Sequence, residues 1–282
     1  MPSIISTSGR EKSVQRYKLL LSGLSITDIS YQVFVTGNED GVITAEEFAA
    51  AVRSKDSPCI GAAISKDIKG KIIPFLDKLD ETADEVQSVN TIVMNSSGVL
   101  TGYNTDITGF RLAIKGAIAE AAQKYERTCK HAIVYGYGGV TSVVVHVLRS
   151  LGIEQIYLTG RNLEKARERA VELSCLAWNP NTPCDLFVNA SPVTDQPLAA
   201  ADNFLASLSP SSGGPCVVFD HEMPGQCLKD WALAQEKLVY VAGYEMYYPQ
   251  MKQQWELFLA NYASKEDVAT TLDALVRAEK EQ

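Results

Sequence analysis

The chain has 282 residues, of which 46% are hydrophobic and 21% charged, which is enough for one large or two ordinary globular domains. Its formal net charge of −8 argues against a nucleic-acid-binding protein, because no basic excess is present to neutralise phosphates. No apolar run reaches the roughly 18 residues of a membrane span, and the N-terminus lacks a signal-peptide pattern. The sequence therefore predicts a cytoplasmic protein that binds neither nucleic acid nor a membrane.

Six cysteines and three histidines are scattered along the chain, without a Cys-x-x-Cys pair. We interpret the cysteines as reduced thiols and predict no metal site. Residues 36–48 resemble a calcium-binding EF-hand loop, but Thr36 stands where the first aspartate ligand is needed. A strand, a turn and a helix without calcium is therefore the favoured interpretation of that segment.

Short strands and helices alternate in the first part of the chain. Thr44 and Glu47 have the spacing of a capping box, which marks the start of a helix. Two β-rich runs on either side of Asn95-Ser96-Ser97-Gly98 indicate a hairpin. The predicted elements are strands over 3–6, 30–35, 59–64, 91–94 and 99–101, and helices over 44–53, 72–79 and 107–125.

The second part of the chain alternates more regularly. Apolar strands separated by helices indicate a parallel sheet with right-handed crossovers, and the end of the chain is helical. The predicted strands are 130–135, 155–159, 185–189, 217–220 and 239–242. This pattern divides the chain into a first α/β unit up to about residue 106, a nucleotide-binding type of unit from about 107 to 245, and a helical tail.

A glycine-rich turn follows the first strand of the second domain. Gly136-x-Gly138-Gly139 between a strand and a helix is a partial dinucleotide fingerprint, in which glycines let the backbone approach a pyrophosphate. After the next strand, Arg161 and Lys165 offer two cations that suit the 2′-phosphate of NADP better than the free ribose of NAD. The alternatives are a ligand-free tight turn and a solvated helix start.

Two polar segments, 88–91 and 101–106, lie close together in the first domain, downstream of Lys69. Reduction of a ketone by hydride needs a proton donor, and a lysine oriented by an aspartate such as Asp106 can serve. Asn90 and Asn104 add neutral hydrogen-bonding groups that suit a polyol. On composition alone, a solvated lysine at a helix start remains the alternative.

Taken together, these motifs resemble the shikimate dehydrogenase family over nearly the whole chain. The matching motifs are Ser88-Val89-Asn90-Thr91, Gly102-x-Asn104-Thr105-Asp106, Ile73-Pro74-Phe75-Leu76-Asp77, Tyr135-Gly136-Tyr137-Gly138-Gly139, Val188-Asn189-Ala190-Ser191-Pro192 and Gly243-x-x-Met246-x-x-x-Gln250. The resemblance implies a two-domain α/β fold. An N-terminal α/β substrate domain, made of residues 1–106 plus about 247–282, would precede a Rossmann-type NADP-binding domain over 107–246. The C-terminal helices would pack back on the first domain.

The resemblance also implies an activity, which is reversible hydride transfer between NADPH and 3-dehydroshikimate or a related cyclic hydroxy acid in aromatic amino acid biosynthesis. The partner would be a small hydroxylated cyclic carboxylate, and the protein a monomer or homodimer. The implied roles are Lys69 and Asp106 as the catalytic acid/base pair; Ser6, Ser8, Ser65, Asn90 and Gln250 for substrate binding; and Gly136, Gly138, Gly139, Arg161, Lys165, Asn189 and Met246 for NADP binding, with NAD less favoured.

Departures from the family pattern fall mainly on the substrate side. Ser6-Thr7-Ser8-Gly9-Arg10 lacks the proline and the His-Asn that grip a substrate carboxylate, and is similar to the divergent shikimate dehydrogenase-like branch. Asp67 adds a carboxylate near Lys69 that we expect to pair with it, and Val193-Thr194 replace Gly-Met. A quinate or other cyclitol dehydrogenase, or a non-catalytic metabolite sensor, therefore remains an alternative.

Overall fold

The computed structural model describes residues 1–9, 11–38, 41–54, 58–65, 68–191, 204–205, 208, 214–221 and 226–280. The sequence departures at Asp67 and at 193–194 lie outside the described residues. The chain divides into two compact units, which are Met1–Thr105 with Gln250–Gln282 (unit 1) and Asp106–Pro249 (unit 2). None of the helices in the described ranges is both long and apolar enough to cross a membrane.

Unit 1 contains a six-stranded mixed sheet in the order β2-β1-β3-β5-β6-β4. β1 pairs in parallel with β2 and β3, whereas β5 is antiparallel to both β3 and β6. The β5–β6 pair is the predicted hairpin. The strands are β1 Ser3–Ser6, β2 Ser30–Val33, β3 Cys59–Ala63, β4 Lys78–Leu79, β5 Thr91–Met94 and β6 Leu100–Tyr103.

Nine helices are described along the chain. Thr44 caps the second of them as its spacing predicted, since its Oγ1 accepts a hydrogen bond of 3.2 Å from the Glu47 N–H. In chain order the helices are α1 Glu11–Gly23, α2 Ala45–Val52, α3 Glu81–Val86, α4 Asp106–Tyr125, α5 Gly139–Ser150, α6 Leu163–Glu172, α7 Gln226–Leu233, α8 Gly243–Phe258 and α9 Lys265–Lys280.

The helix predicted over 72–79 was wrong. Only a short 3₁₀ turn forms at Ile73–Phe75, and β4 follows it. Pro74 has no N–H to donate, and Leu76 takes up extended backbone. Asp77 then bonds to Leu100, with its N–H at 3.1 Å from the carbonyl and its carboxylate accepting the amide at 2.7 Å. The apolar residues of this segment pack on the core of unit 1 from the 3₁₀ turn and the short strand rather than from an α-helix.

Helix α9 and the part of α8 from Gln250 onward belong to unit 1, as the family resemblance implied. α9 packs on α1, where Arg16 and Glu279 form an ion pair of 2.6 Å. Trp255 of α8 is fully buried and its ring lies 4.9 Å from that of Tyr17 and 5.7 Å from that of Phe258. These helices therefore close one side of the unit 1 core.

Unit 2 contains a six-stranded sheet that is parallel throughout, as predicted, in the order β12-β11-β10-β7-β8-β9. The strand order reverses at β7, which lies between β8 and β10. In parallel sheets the carboxyl ends of strands at such a reversal form a crevice for ligands. The strands are β7 His131–Tyr135, β8 Gln155–Thr159, β9 Leu176–Ala177, β10 Leu186–Asn189, β11 Val217–Asp220 and β12 Val239–Ala242.

In the segment that resembles an EF-hand loop, Glu47 of α2 is engaged by the loop itself. Its carboxylate accepts bonds from the Thr36 hydroxyl at 2.8 Å, the Gly37 amide at 2.7 Å and the Asn38 side chain at 3.0 Å. Glu39 and Asp40 lie outside the described residues. These contacts tie the loop to the helix through protein donors.

Candidate functional site

The glycine turn after β7 has backbone geometry that only glycine provides. Gly136 has φ of 139°, and a Cβ there would lie 2.8 Å from the backbone carbon and oxygen of Ala190. Gly138 caps α5, and a Cβ on Gly138 or Gly139 would meet nothing within 4 Å among the described residues. Open space thus lies in front of the amino end of α5, where N–H groups and the helix dipole favour an anion.

A cavity of about 220 Å³ lies at this turn, at the carboxyl ends of β7, β8 and β10. Its position is the crevice expected at the reversal of strand order. Tyr137 forms one wall, and its ring lies 3.0 Å from where a Cβ on Gly160 would sit. The lining residues are Tyr135, Gly136, Tyr137, Gly138, Gly160, Arg161 and Ser191.

Of the two cations predicted for cofactor binding, Arg161 lines the cavity and Lys165 does not. Burial raises the pKa of Tyr135, and the positive charge of Arg161 opposes that shift. Lys165 is exposed in the first turn of α6, where its N–H donates 3.1 Å to the Asn162 cap. Of the two cations, Arg161 is therefore the one placed at the cavity.

Asn189 lies beneath the cavity rather than in its wall. It is fully buried, its Nδ2 donates 2.8 Å to Asp220, and its Oδ1 accepts from the Ser191 hydroxyl at 2.8 Å. Ser191 does line the cavity. The structure thus gives Asn189 a positioning contact with Ser191. Met246, the other predicted cofactor residue on this side, is 3% exposed in the first turn of α8.

In unit 1 a buried polar cluster forms around Asn90, which is 2% exposed. Its Oδ1 accepts bonds from the Thr91 hydroxyl at 2.8 Å and from the Thr105 N–H at 2.9 Å. Its Nδ2 donates 3.0 Å to Thr105 Oγ1. Three internal bonds therefore use most of this amide, so Asn90 holds the end of β6 against the start of β5.

Backbone hydrogen bonds connect other predicted site residues, the catalytic Lys69 among them, to the same cluster. The Val89 N–H donates 2.9 Å to the Lys69 carbonyl, and the Ile64 N–H donates 2.8 Å to the Asn90 carbonyl. Lys69 is half-buried. The backbone of Lys69 is thereby bonded to Val89, and the backbone of Ile64, which precedes Ser65, is bonded to Asn90. Asp106, 9% exposed, is the first residue of α4 and follows Thr105 directly.

Helix α8 contributes two glutamines to this cluster. Gln250 donates 2.9 Å to Thr105 Oγ1, and Gln254 donates 2.8 Å to Thr91 Oγ1. Gln250 was predicted from the family resemblance. Gln254 was not, although it lies one helical turn further along the same face.

The N-terminal hydroxyls are arranged differently from the sequence expectation. Ser6 is 2% exposed, and its Oγ accepts 3.0 Å from the Ser8 N–H within a turn. Thr7, which sequence reasoning passed over, accepts 2.8 Å from the Ser65 N–H and lies 3.1 Å from Ser65 Oγ. A hydroxyl pair of Thr7 and Ser65 therefore forms at the carboxyl ends of β1 and β3.

Asn104 lies entirely inside unit 1. Its Nδ2 donates 2.7 Å to the Ser88 carbonyl, and it is fully buried. Its Oδ1 has no hydrogen-bond partner within the described part of the chain. Asn104 thus joins the two polar segments from within.

Sequence comparison adds two curated relatives. The shikimate dehydrogenase (NADP(+)) of Pelagibacter ubique is 36% identical over 138 residues, covering 47% of this chain and 49% of that protein. A shikimate dehydrogenase-like protein of Haemophilus influenzae is 33% identical over 137 residues, covering 47% of each chain. The chain thus spans about half the length of the curated relatives it matches. No protein-family model matches the chain.

Solved structures match over almost the full length. Shikimate 5-dehydrogenase from Thermus thermophilus, solved with NADP(H) and shikimate, has a TM-score of 0.66 at 20% identity, covering 97% of this chain and 98% of that one. Quinate dehydrogenase from Corynebacterium glutamicum, solved with NAD, has a TM-score of 0.73 at 18% identity with the same coverage. At these identities the match shows a shared fold.

The fold and the glycine-turn cavity define a two-unit α/β protein whose second unit has a dinucleotide-binding topology. In sequence and in fold the chain is similar to the shikimate dehydrogenases, as its motifs predicted.

Proposed function

We propose that this protein is an NADP-dependent oxidoreductase of the shikimate dehydrogenase type. It interconverts 3-dehydroshikimate, or a related cyclic keto acid, and the corresponding alcohol. The observation that carries the proposal is the buried cluster around Asn90, which fixes Lys69 by the backbone bond from Val89 in a chain that also has a dinucleotide-type cavity. Unit 1, which includes residues 250–282, is the substrate-binding part, and unit 2 is the nucleotide-binding part.

The residues of unit 2 fit a dinucleotide. The open space before Gly138 and Gly139 accommodates a pyrophosphate at the amino end of α5, and Arg161 supplies a cation for a 2′-phosphate. Lys165 adds a second positive charge in the first turn of α6, and Met246 packs near the nicotinamide. When bound, the cofactor supplies or accepts the hydride.

Lys69 and Asp106 supply the acid–base chemistry. Lys69 gives a proton to the carbonyl oxygen in the reductive direction and removes it from the alcohol in the oxidative direction. Asp106 orients the lysine and binds a substrate hydroxyl. Asn90 keeps one Nδ2 hydrogen beyond its bond to Thr105, and that hydrogen and Gln250 bind further hydroxyls. Ser8 and Ser65 bind the carboxylate of the substrate. Ser6 shapes the N-terminal turn through the bond that its Oγ accepts from the Ser8 N–H.

Quinate or another cyclitol is the second candidate substrate. The observation that favours it is the N-terminal turn, where the Thr7–Ser65 hydroxyl pair replaces the family's Ser-x-Ser-Pro arrangement. A ring with a different hydroxyl pattern would meet different donors there. The match to a quinate dehydrogenase fold is compatible with this substrate. A non-catalytic metabolite sensor is the third candidate, which the same altered turn favours.

A substrate panel tests the proposal. Purified protein with NADP⁺ or NAD⁺ and shikimate, quinate or other cyclic polyols is monitored at the nicotinamide absorbance. Turnover with shikimate and NADP⁺ supports the main proposal, and turnover only with quinate supports the second candidate. Ligand binding without turnover across the panel would identify a sensor.

The matched variant pair is Lys69→Ala and Lys71→Ala. Lys71 is exposed two residues away, so it controls for loss of a positive charge. Lys69→Ala should lower kcat by about 10²- to 10⁴-fold while NADP binding stays unchanged. Equal loss of turnover in both variants, or unchanged turnover in Lys69→Ala, contradicts the assignment.

A further inference from the structure

Two cysteines that are far apart in sequence meet at the amino ends of interior strands of the unit 2 sheet. The Sγ atoms of Cys129 and Cys216 lie 3.5 Å apart, although 87 positions separate them. Cys129 precedes β7 and Cys216 precedes β11, and these strands lie on either side of β10. The two thiols therefore meet across the start of β10, an arrangement that their sequence spacing could not indicate.

Asp185, just before β10, holds the backbone on both sides of the pair. Its carboxylate accepts bonds from the N–H groups of Lys130 at 3.0 Å and His131 at 2.9 Å. Its carbonyl accepts the Cys216 N–H at 2.8 Å. The positions of both cysteines are thus set by one residue, so their proximity does not depend on two mobile loops.

The surroundings of the pair favour a thiolate. A hydrogen bond from the Cys129 thiol lowers the pKa of Cys216, and the nearby Arg127 guanidinium lowers it further against the effect of burial. Arg127 is held there by a bond of 2.7 Å from its Nη2 to the Gly214 carbonyl. That hydrogen bond, together with burial, raises the pKa of the Cys129 thiol, so the thiolate forms on Cys216. Cys216 is buried and Cys129 is half-buried, so a small oxidant reaches the pair from the Cys129 side.

The other described cysteines lack this combination. Cys59 and Cys184 are buried, and desolvation raises the pKa of each thiol. Cys175 is half-buried, and desolvation also raises its pKa. Cys129 and Cys216 form the one sulfur–sulfur contact among the residues that the structure describes.

We propose that Cys129 and Cys216 are a redox-active dithiol that closes to a disulfide under hydrogen peroxide. The Cys129 thiol keeps its proton and donates it in a hydrogen bond to Cys216, and the Cys216 thiolate attacks one peroxide oxygen; the O–O bond breaks and, with one proton, water leaves. The Cys129 thiol, losing its proton, then displaces water from the Cys216 sulfenic acid and forms the S–S bond. In sum, two thiols lose two electrons and two protons, and one peroxide becomes two waters.

The geometry requires only a small adjustment. A disulfide bond is about 2.05 Å long, so the sulfurs must approach by about 1.5 Å from their present 3.5 Å. The two thiols lie at the amino ends of the strands and the glycine-turn cavity lies at their carboxyl ends, because β7 runs from His131 beside the thiols to Tyr135 at the cavity. Five residues of strand span about 13 Å. The disulfide therefore forms at the end of the strands away from the cavity, and the proposal is independent of the proposed oxidoreductase activity.

The test counts free thiols by mass. Full-length protein is treated with a few equivalents of hydrogen peroxide, denatured and alkylated with N-ethylmaleimide, and its intact mass is measured. The chain has six cysteines, so the number of adducts should fall from six to four and return to six after dithiothreitol. Digestion with trypsin and chymotrypsin should give the peptide with Cys129 linked to one with Cys216.

Two variants and one control complete the experiment. Cys129→Ser and Cys216→Ser each have five cysteines and should keep five adducts after peroxide, whereas Cys175→Ser should fall from five to three. Circular dichroism checks that each variant is folded, and the wild-type peptide map stands alone if one is not. Six adducts after peroxide, a link between other cysteines, or a sulfinic acid on one of the two overturns the proposal.

Discussion

Replacing Asn90 with alanine tests whether the polar cluster of unit 1 is part of the structure as well as part of a binding site. The substitution removes three side-chain hydrogen bonds, from the Thr91 hydroxyl, from the Thr105 N–H and to Thr105 Oγ1. Thr105 is 1% exposed, so water has little access to its amide. A buried donor left without a partner costs about 1–3 kcal/mol.

The expected magnitude follows from these three contacts. At about 1 kcal/mol net for each bond, Asn90→Ala should lower the free energy of unfolding by about 3 kcal/mol. Urea denaturation followed by circular dichroism measures the change, and hydrogen exchange of the Thr105 amide shows whether the loss is local. Asn261→Ala, an exposed asparagine of the same unit, should stay within about 0.5 kcal/mol of wild type.

An unfolding free energy for Asn90→Ala within about 0.5 kcal/mol of the wild-type value would refute this reasoning. It would mean that the three bonds contribute nothing net, and that Asn90 acts on substrate alone. A stability loss with an unchanged Thr105 exchange rate would place the effect elsewhere in unit 1.

Four further predictions concern the rest of the chain. Gly160→Ala puts a Cβ 3.0 Å from the Tyr137 ring, so it should lower the free energy of unfolding by about 1 kcal/mol or more. Adding Tyr137→Ala should restore that stability. If the two substitutions instead lower the unfolding free energy by the sum of their separate effects, the contact is contradicted. Burial raises the pKa of Cys59 from 9.0 to about 11. The stability that the protonated Cys59 thiol contributes is therefore fully present below pH 9, and up to about 2.7 kcal/mol of it is lost as the pH rises toward 11. If the unfolding free energy of Cys59→Ala, measured in urea, falls by the same amount over this pH range, the prediction is contradicted. Closing the 87-residue loop between Cys129 and Cys216 should stabilise the oxidised protein by about 4–5 kcal/mol, seen as a higher urea midpoint that Cys129→Ser lacks. Arg161→Ala should raise the Kd for NADP about tenfold, equal to about 1.4 kcal/mol, with little change for NAD in calorimetry, whereas exposed Arg167→Ala changes neither.

Most of the fold could be predicted from local patterns. The strands of unit 2 are short apolar runs between helices, and that alternation permits few arrangements other than a parallel sheet. The β5–β6 hairpin and the cap at Thr44 follow from turn and capping residues that act within a few positions. The segment 72–79 was mispredicted because its apolar spacing suits a helix, while pairing of Asp77 with Leu100 of a distant strand decided its structure.

The candidate site was predicted by residue and not by contact. Lys69, Asn90 and Gln250 were identified from motifs, but Thr7, Gln254 and Ser191 were not. Each of the latter stands beside a predicted residue in space or one helical turn away. No pattern in the sequence separates a serine whose hydroxyl caps a turn, such as Ser6, from one that is open to a ligand.

The sequence by itself determined the class of the fold, the glycine turn and the presence of a lysine and two asparagine-bearing segments in the right order. These depend on local propensity and on spacing along the chain. Only the tertiary structure showed that Asn90 is mostly occupied by its neighbours, that Arg161 rather than Lys165 lines the cavity, and that Cys129 meets Cys216. Such facts depend on which hydrogen-bond partners and neighbours the packed sheet brings within a few ångströms, and separation along the chain carries no information about that distance.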